Sequence, residues 1–295
     1  MTEPTGGEAR VPAALRGMAA RTTGLTVRVR RRVLRFRRDR ARVRYAAGRF
    51  PVVAVAGTPS RDGLPVVMCL WNRPERIRDI LGGLARQIGT PPIRLVLWGN
   101  RASDRRHYVR EIRRAGVSGA LASVEYIPSR VNVGGLGRFF VLRRLRQGGY
   151  DGPAITLDDD QEIEPTFVRT LLDSFEPRSL HGVWAFRQGT SYWDREAADD
   201  GQPADYIGTG GCVLDPSIVD DDGFFADLPD RFSFLEDQWM SWRGARAGWD
   251  LRKVDAPFDF VLSERNQYGA LLWLKDEFHA YLSSPDRDEG PADPR

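Results

Sequence analysis

No stretch of this chain is apolar for long enough to cross a membrane. The longer runs, such as Leu64 to Trp71, fall far short of the ~20 residues that a helical span needs. The first residues also lack the apolar core of a secretory signal, so a cytoplasmic protein is expected. Cysteine is scarce: Cys69 and Cys212 each sit in an apolar, strand-like run. Two thiols without a secretory context make no disulfide framework, and both are read as buried and free. Histidine is limited to His107, His181 and His279, read as lying in a polar helix, a loop and a late helix, and none is assigned to metal. The glycines at 134, 135 and 137 have neither the dinucleotide nor the P-loop spacing.

What is present is ordinary for a globular protein: 295 residues, 41% hydrophobic and 28% charged, enough for one large domain or two small ones. The charge is not ordinary in its distribution. Residues 1–50 hold 14 arginines against Glu3, Glu8 and Asp39, a net of +11. The whole chain is +4, which leaves −7 for residues 51–295. The basic balance therefore belongs to the leader and says nothing of the folded domain's ligand.

Residues 1–24 are non-periodic and rich in Gly, Pro, Ala, Thr and Arg, and disorder is expected. From Leu25 to Arg49 the pattern becomes that of a basic amphipathic helix, with Leu25, Val29, Val33 and Phe36 at helical spacing among arginines. Such a segment suits an anionic membrane surface, on the inner face for a cytoplasmic protein, or nonspecific nucleic acid, or it is a solvated leader. Nucleic acid is not the expected partner. The organisation expected is a leader over 1–49, one domain over 50–282 and a disordered tail over 283–295.

Within the domain, strand-like runs over 50–56, 64–71, 93–98, 121–127 and 153–157 alternate with helical patterns over 74–88, 104–115, 136–147 and 166–175. Ile77, Ile80, Leu81, Leu84 and Ile88 mark the clearest apolar helix face. This alternation implies an α/β fold, a Rossmann-type and mostly parallel sheet flanked by helices. Downstream the pattern turns mixed: strands over 182–188 and 206–214, a long polar stretch over 189–205, a helix that begins in the stretch 232–239 and runs to about Ala247, strands over 251–254 and 258–262, and a helix from Tyr268 to Leu282. In parallel sheets ligands bind outside the carboxyl ends of the strands.

The residues at those ends are polar in phase. Asn72 and Arg73 follow one strand, Asn100 the next, Asn132, Gly134, Gly135 and Arg138 the third, and Asp158-Asp159-Asp160 the fourth. In an extended chain Asp158 and Asp160 project to one side and Asp159 to the other. Two carboxylates that close repel, and a hard divalent ion such as Mg2+ or Mn2+ with diphosphate oxygens completing its shell relieves this. The plain alternative is an acidic turn capping the helix near Pro165. Asn72 and Asn100 suit base or ribose edges, and Arg73 and Arg138 suit diphosphate. Glu236 and Asp237 open a helix, where acids also simply stabilise the positive end of its dipole. Trp239 offers a flat face to a sugar ring, or is core, and the glycines at 208, 210 and 211 let backbone lie against a ligand.

The succession of a strand with Asn72-Arg73-Pro74, then Asn132-Val133-Gly134-Gly135, Asp158-Asp159-Asp160 and Glu236-Asp237 resembles the GT-A-fold, family-2-like glycosyltransferases, over about Leu64 to Leu262. The resemblance implies a GT-A-like fold and transfer of a sugar, with inversion, from a nucleotide-sugar donor to a hydroxyl acceptor such as a glycan or lipid-linked glycan of the cell envelope. It implies Asp158 and Asp160 as metal contacts and Asp237, with Glu236 as the alternative, as the base. Asn72, Arg73, Asn100, Asn132, Gly134, Gly135, Arg138, Asp158 and Asp159 are then the nucleotide-sugar contacts, and Trp239, Gly210 and Gly211 the acceptor contacts. Two departures stand out: Gly99-Asn100 replaces an aspartate common at the second strand's end, and the late segment offers only His279 where relatives use a metal-binding histidine. The competing classes are a nucleotidyltransferase, against which stands the missing glycine-rich N-terminal loop with its arginine, and a non-catalytic scaffold docking through the leader on membrane or nucleic acid.

Overall fold

The computed structural model describes residues 32–261 and 268–284. The disorder expected for residues 1–24 and for the tail falls outside these, apart from Ser283 and Ser284. The first half builds as the alternation implies: β1 (Val53–Gly57), β2 (Leu64–Leu70), α2 (Ile77–Ala85), β3 (Ile93–Gly99), α3 (Arg105–Ala115), β4 (Leu121–Pro128), α4 (Leu136–Gln147) and β5 (Ala154–Leu157), preceded by α1 at residues 32–46. The second half adds β6 (Gln161–Ile163), α5 (Phe167–Asp173), β7 (Ser179–Gly182), β8 (Ala185–Gln188), β9 (Arg195–Ala197), β10 (Tyr206–Ile207) and β11 (Cys212–Leu214). It closes with α6 (Gly223–Ala226), α7 (Glu236–Arg246), β12 (Asp250–Lys253), β13 (Phe258–Phe260) and α8 (Tyr268–Leu282).

Eight strands form the central sheet in the order β1-β4-β3-β2-β5-β11-β7-β12. Neighbours pair in parallel from β4 through β3 and β2 to β5, and again between β7 and β12. Only β1 and β11 run against the rest. The chain moves outward from β2 to β3 and β4 and then returns to place β5 on the other flank of β2. The β2/β5 boundary is thus a topological switch point, where a crevice opens at the carboxyl ends.

The central strands are buried on both faces, which is why they read as unbroken apolar runs. Val67, Cys69, Val96 and Trp98 point into a core shared with α4, α7 and α8. Their alternate neighbours Val66, Met68, Leu95 and Leu97 point into a second core under α2, α3 and α5. On α2 the expected face is buried except Ile88, which lies past the helix end and is exposed. Both cysteines are buried and free, as read from the sequence.

The mixed half departs in detail. The run over 182–188 is two strands, β7 ending at Gly182 in the main sheet and β8 beginning at Ala185 in a small sheet ordered β10-β8-β9. The run over 206–214 is likewise divided between β10 and β11, because Gly211 turns the chain with φ 82. His181, read as a loop residue, sits on β7 with Nε2 3.1 Å from Asp250 Oδ2. The Asp-rich run leads into the short strand β6, which pairs with β13, rather than directly into a helix.

α1 is the described part of the helix expected over 25–49, of which residues 25–31 lie outside the described residues. The apolar set Val33 and Phe36 is exposed, and the helix docks through its other face: Arg42 and Tyr45 are buried. Tyr45 meets Trp98 edge-on at 5.0 Å, Phe50 meets Trp98 at 5.2 Å, and Arg42 pairs with Asp230. The packing of the domain therefore begins before residue 50.

Candidate active site

The switch point is closed by one aspartate. Asp159 accepts the Trp71 backbone N–H at 2.9 Å and Arg73 Nη1 at 2.5 Å, so the end of β5 clasps the end of β2. Arg73 Nη2 reaches on to Asp160 Oδ2 at 3.1 Å. Burial pushes the Asp159 carboxyl up to about 6, against the pull of the Trp71 N–H and Arg73. The expected division of the three aspartates appears, though residues 159–160 form a turn rather than extended chain. Asp159, expected among the nucleotide contacts, is instead buried and spent on this clasp.

The polar residues after β3 and β4 also face inward. Asn100 Oδ1 accepts Trp98 Nε1 at 3.2 Å and the Val133 N–H at 3.1 Å, and its Nδ2 donates to Gly134 O at 2.9 Å. Its amide holds the 132–135 turn in place and is not directed to a base. Asn132 Oδ1 accepts the Gly134 N–H at 2.9 Å in the same turn. Asn72 is exposed, with φ 61, and accepts Arg101 Nη1 at 2.8 Å. Gly135 lets Glu236 approach: a Cβ there would stand 1.5 Å from Glu236 Oε1. That glycine serves a close approach within the protein rather than one to a ligand.

Glu236 opens α7 and is buried beside Arg138 on the first turn of α4. Arg138 Nη1 lies 3.3 Å from Glu236 Oε1, and Nη2 donates to Leu157 O at 3.3 Å and pairs with Asp158. Burial works against the Arg138 charge, and the fields of Asp158 and Glu236 outweigh it, so its pKa is raised. Burial, then the neighbouring Asp237, pushes Glu236 up to about 8 despite Arg138. An unfolded glutamate releases its proton near pH 4.3, so the folded state binds more protons between about pH 4.5 and 8, and stability falls as pH rises through that window. Glu236→Gln is expected to flatten the fall: the melting-temperature difference between wild type and variant should shift in the variant's favour from pH 5 to pH 9, roughly the span of that titration. Parallel melting profiles across this range would refute the assignment.

A cavity of about 430 Å3 opens beyond these pairs, lined by Asp158, Asp160, Gly210, Asp237, Tyr206, Trp184, Phe260 and Lys275 among others. Asp158, Asp160, Asp237 and Gly210 are therefore brought together as expected. Gly211 is not, since a Cβ there would meet Val183 and Phe167 in the core. Trp239 is fully buried, and its Nε1 donates to Phe224 O at 2.7 Å, so the helical register of α7 sends it to the core and not to an acceptor.

Several cavity residues were not foreseen from the sequence. Tyr206 donates its hydroxyl to Asp237 Oδ2, and Asp237 Oδ1 accepts the Gln238 N–H at 2.8 Å. Tyr192 hydrogen-bonds Tyr206 in turn, and Lys275 Nζ donates to Tyr192 Oη at 3.1 Å. Lys275 arrives from α8, where burial lowers its pKa. It is one of only two lysines in a chain that otherwise uses arginine, and that rarity was the available clue. Gln161 accepts the Asp158 N–H at 3.1 Å and donates to Gly210 O at 3.4 Å, joining the two walls. Trp184 and Phe260 meet edge-on at 5.6 Å at the rim and are partly exposed.

The carboxylates available to a divalent cation are two. Asp158 and Asp160 share the cavity, each already paired with an arginine, Arg138 and Arg73 respectively, and burial followed by the charge of Asp158 raises the Asp160 pKa. Among the described residues no group of three or more His, Cys, Asp or Glu side chains is placed to hold a metal. Two carboxylates with phosphate oxygens completing the shell is the pattern of Mg2+ held with a nucleotide. A cation there would share its shell with the ligand.

No protein-family model matches the chain, and no curated protein matches it. Among solved structures, it is similar to residues 1–349 of S. aureus TarS in complex with UDP, at 14% identity and a TM-score of 0.45, covering 66% of this chain and 59% of that one. Against TarS in complex with UDP-GlcNAc the values are 15%, 0.44, 66% and 57%. This chain therefore spans less than two thirds of the length of these two chains.

Proposed function

We propose that this protein is a glycosyltransferase of the GT-A, family-2 kind, moving a sugar from a nucleotide-sugar donor to a hydroxyl acceptor with inversion. One observation carries the reading: at the switch point of a mostly parallel sheet, Asp158 and Asp160 share a cavity with Asp237 at the start of α7. Asp158 and Asp160 take the diphosphate side, where Arg73 and Arg138 hold them in place. A divalent cation bound there would neutralise the departing diphosphate.

Asp237 takes the acceptor side. The acceptor oxygen bonds to the anomeric carbon as that carbon's bond to phosphate oxygen breaks, and Asp237 receives the hydroxyl proton. Tyr206 fixes the orientation of the carboxylate by donating to Oδ2. Trp184 and Phe260 present partly exposed aromatic faces against which a sugar of a glycan or lipid-linked acceptor can lie. Attack from the side opposite the leaving group gives inversion.

The test is the melting temperature of the full chain with a panel of nucleoside diphosphates and nucleotide sugars, with and without Mn2+. A ligand that binds only the folded state raises it. The expected result is a metal-dependent rise with one nucleotide family, lost in Asp158→Ala with Asp160→Ala. No rise across the panel would remove the donor site and with it the transferase reading.

A further inference from the structure

The feature that the transferase reading leaves unused is the outward face of α1. Residues 32–46 carry seven arginines against Asp39. At 100° per residue, Val33, Phe36 and Val43 fall within an arc of about 80° on one side of the helix. Arg37, Arg40 and Arg44 lie on the same side. Arg42 and Tyr45, which anchor the helix to the domain, lie on the opposite side and are buried. Val33 is 44% exposed, Phe36 60% and Val43 72%, and every residue from 32 to 37 is exposed.

An amphipathic helix in a folded domain ordinarily turns its apolar side inward. Here an arginine salt bridge and a tyrosine do the docking, and the aliphatic and aromatic residues are presented outward among cations. Beneath Val43 the face runs into a groove of about 580 Å3 between α1 and α4, whose walls include Ala46, Phe140, Phe225 and Leu228, and in which the acids Asp222 and Asp230 are paired with Arg143 and Arg42. Phosphates of a nucleic acid would use the arginines but leave the aliphatic side chains and the groove without a role. A lipid surface uses all three: headgroup phosphates for the arginines, the acyl boundary for Phe36 and the valines, and a chain for the groove.

We propose that the outward face of α1 is a docking surface for an anionic lipid bilayer, and that it holds the domain at that surface. The proposal does not depend on the reaction catalysed. Cations along the helix add electrostatic attraction to anionic headgroups, and insertion of the apolar residues supplies the part that salt does not screen.

The experiment is co-sedimentation of the full chain with vesicles of phosphatidylcholine alone and of phosphatidylcholine with phosphatidylglycerol. Roughly tenfold or stronger binding to the anionic vesicles is expected, from several arginines acting together. Val33→Glu with Phe36→Glu should lose roughly tenfold of that binding while the melting temperature stays at the wild-type value, since both side chains are exposed. Arg37→Glu with Arg40→Glu should lose it too, and should do so without raising binding to neutral vesicles. Equal binding to both vesicle types would overturn the proposal, as would unchanged binding in the Val33/Phe36 variant. Binding to a poly(U) probe that survives in the Val33/Phe36 variant, without vesicle binding by the wild type, would assign the face to nucleic acid. Self-association of the wild type, abolished in the same variant and without vesicle binding, would assign it to a second copy.

Discussion

Asp237→Asn is expected to lower kcat by about 10²–10⁴-fold, the range of a lost general base, while leaving the nucleotide-induced rise in melting temperature close to wild type. The substitution keeps the size and planarity of the side chain, and its one remaining oxygen can accept from either the Tyr206 hydroxyl or the Gln238 N–H, the two donors that the carboxylate satisfies together. What it removes is the ability to accept the acceptor proton. The donor half of the cavity rests on Asp158, Asp160, Arg73 and Arg138, none of which hydrogen-bonds Asp237. Binding and chemistry should therefore separate: kcat falls and the donor KM holds, the pattern of an interaction made only in the transition state. Steady-state kinetics with the nucleotide sugar that stabilises the wild type would measure it. Full turnover in the variant would take the base away from Asp237, and an equal loss in Glu236→Gln would give it to Glu236.

Above about pH 8, where Glu236 is ionised, Arg138→Met is expected to cost about 3–5 kcal/mol of folding stability, the usual penalty for removing one partner of a buried charge cluster, and less at neutral pH, where Glu236 keeps its proton. The guanidinium is buried and serves Asp158, Glu236 and the Leu157 carbonyl at once. Without it Glu236 is left in a dry site beside Asp237 and Asp158, with the protonated form its only relief. Part of the loss should return in the double variant Arg138→Met, Glu236→Gln, because the orphaned acid is then gone. Urea unfolding measures both. A loss below about 1 kcal/mol above that pH would mean that water, not Arg138, neutralises these acids.

The strands, their order of appearance and the polar character of their ends were legible because a buried parallel strand is a continuous apolar run and its loop is not. That Asp159 faces away from the cavity while Asp158 and Asp160 line it was expected from strand alternation, but residues 159–160 form a turn, in which Arg73 pairs with Asp159 and Asp160 together. The purpose of Asn100, Asp159 and Gly135 was not: a side chain that binds a ligand and one that clasps a neighbouring strand have the same sequence, and only the Trp71 N–H, the Val133 N–H and Glu236 show which is which. Trp239 failed as an acceptor residue because its direction depends on where α7 sits against α6 and α8. Tyr206, Lys275 and Trp184 lie on separate elements far apart in the chain, and no periodicity relates them.

Lys275 has a consequence in time. The aspartates at 158–160 leave the ribosome long before it, and at 5–20 residues per second the gap between them is roughly ten seconds. Until α8 emerges, neither the wall that carries the Tyr192–Lys275 contact nor the part of the core that Leu274, Phe278 and Leu282 fill is present. The last helix to be synthesised thus serves both core and cavity, and a chain interrupted before α8 would lose the Phe278 packing on Phe232 and Trp239 together with the Lys275 wall.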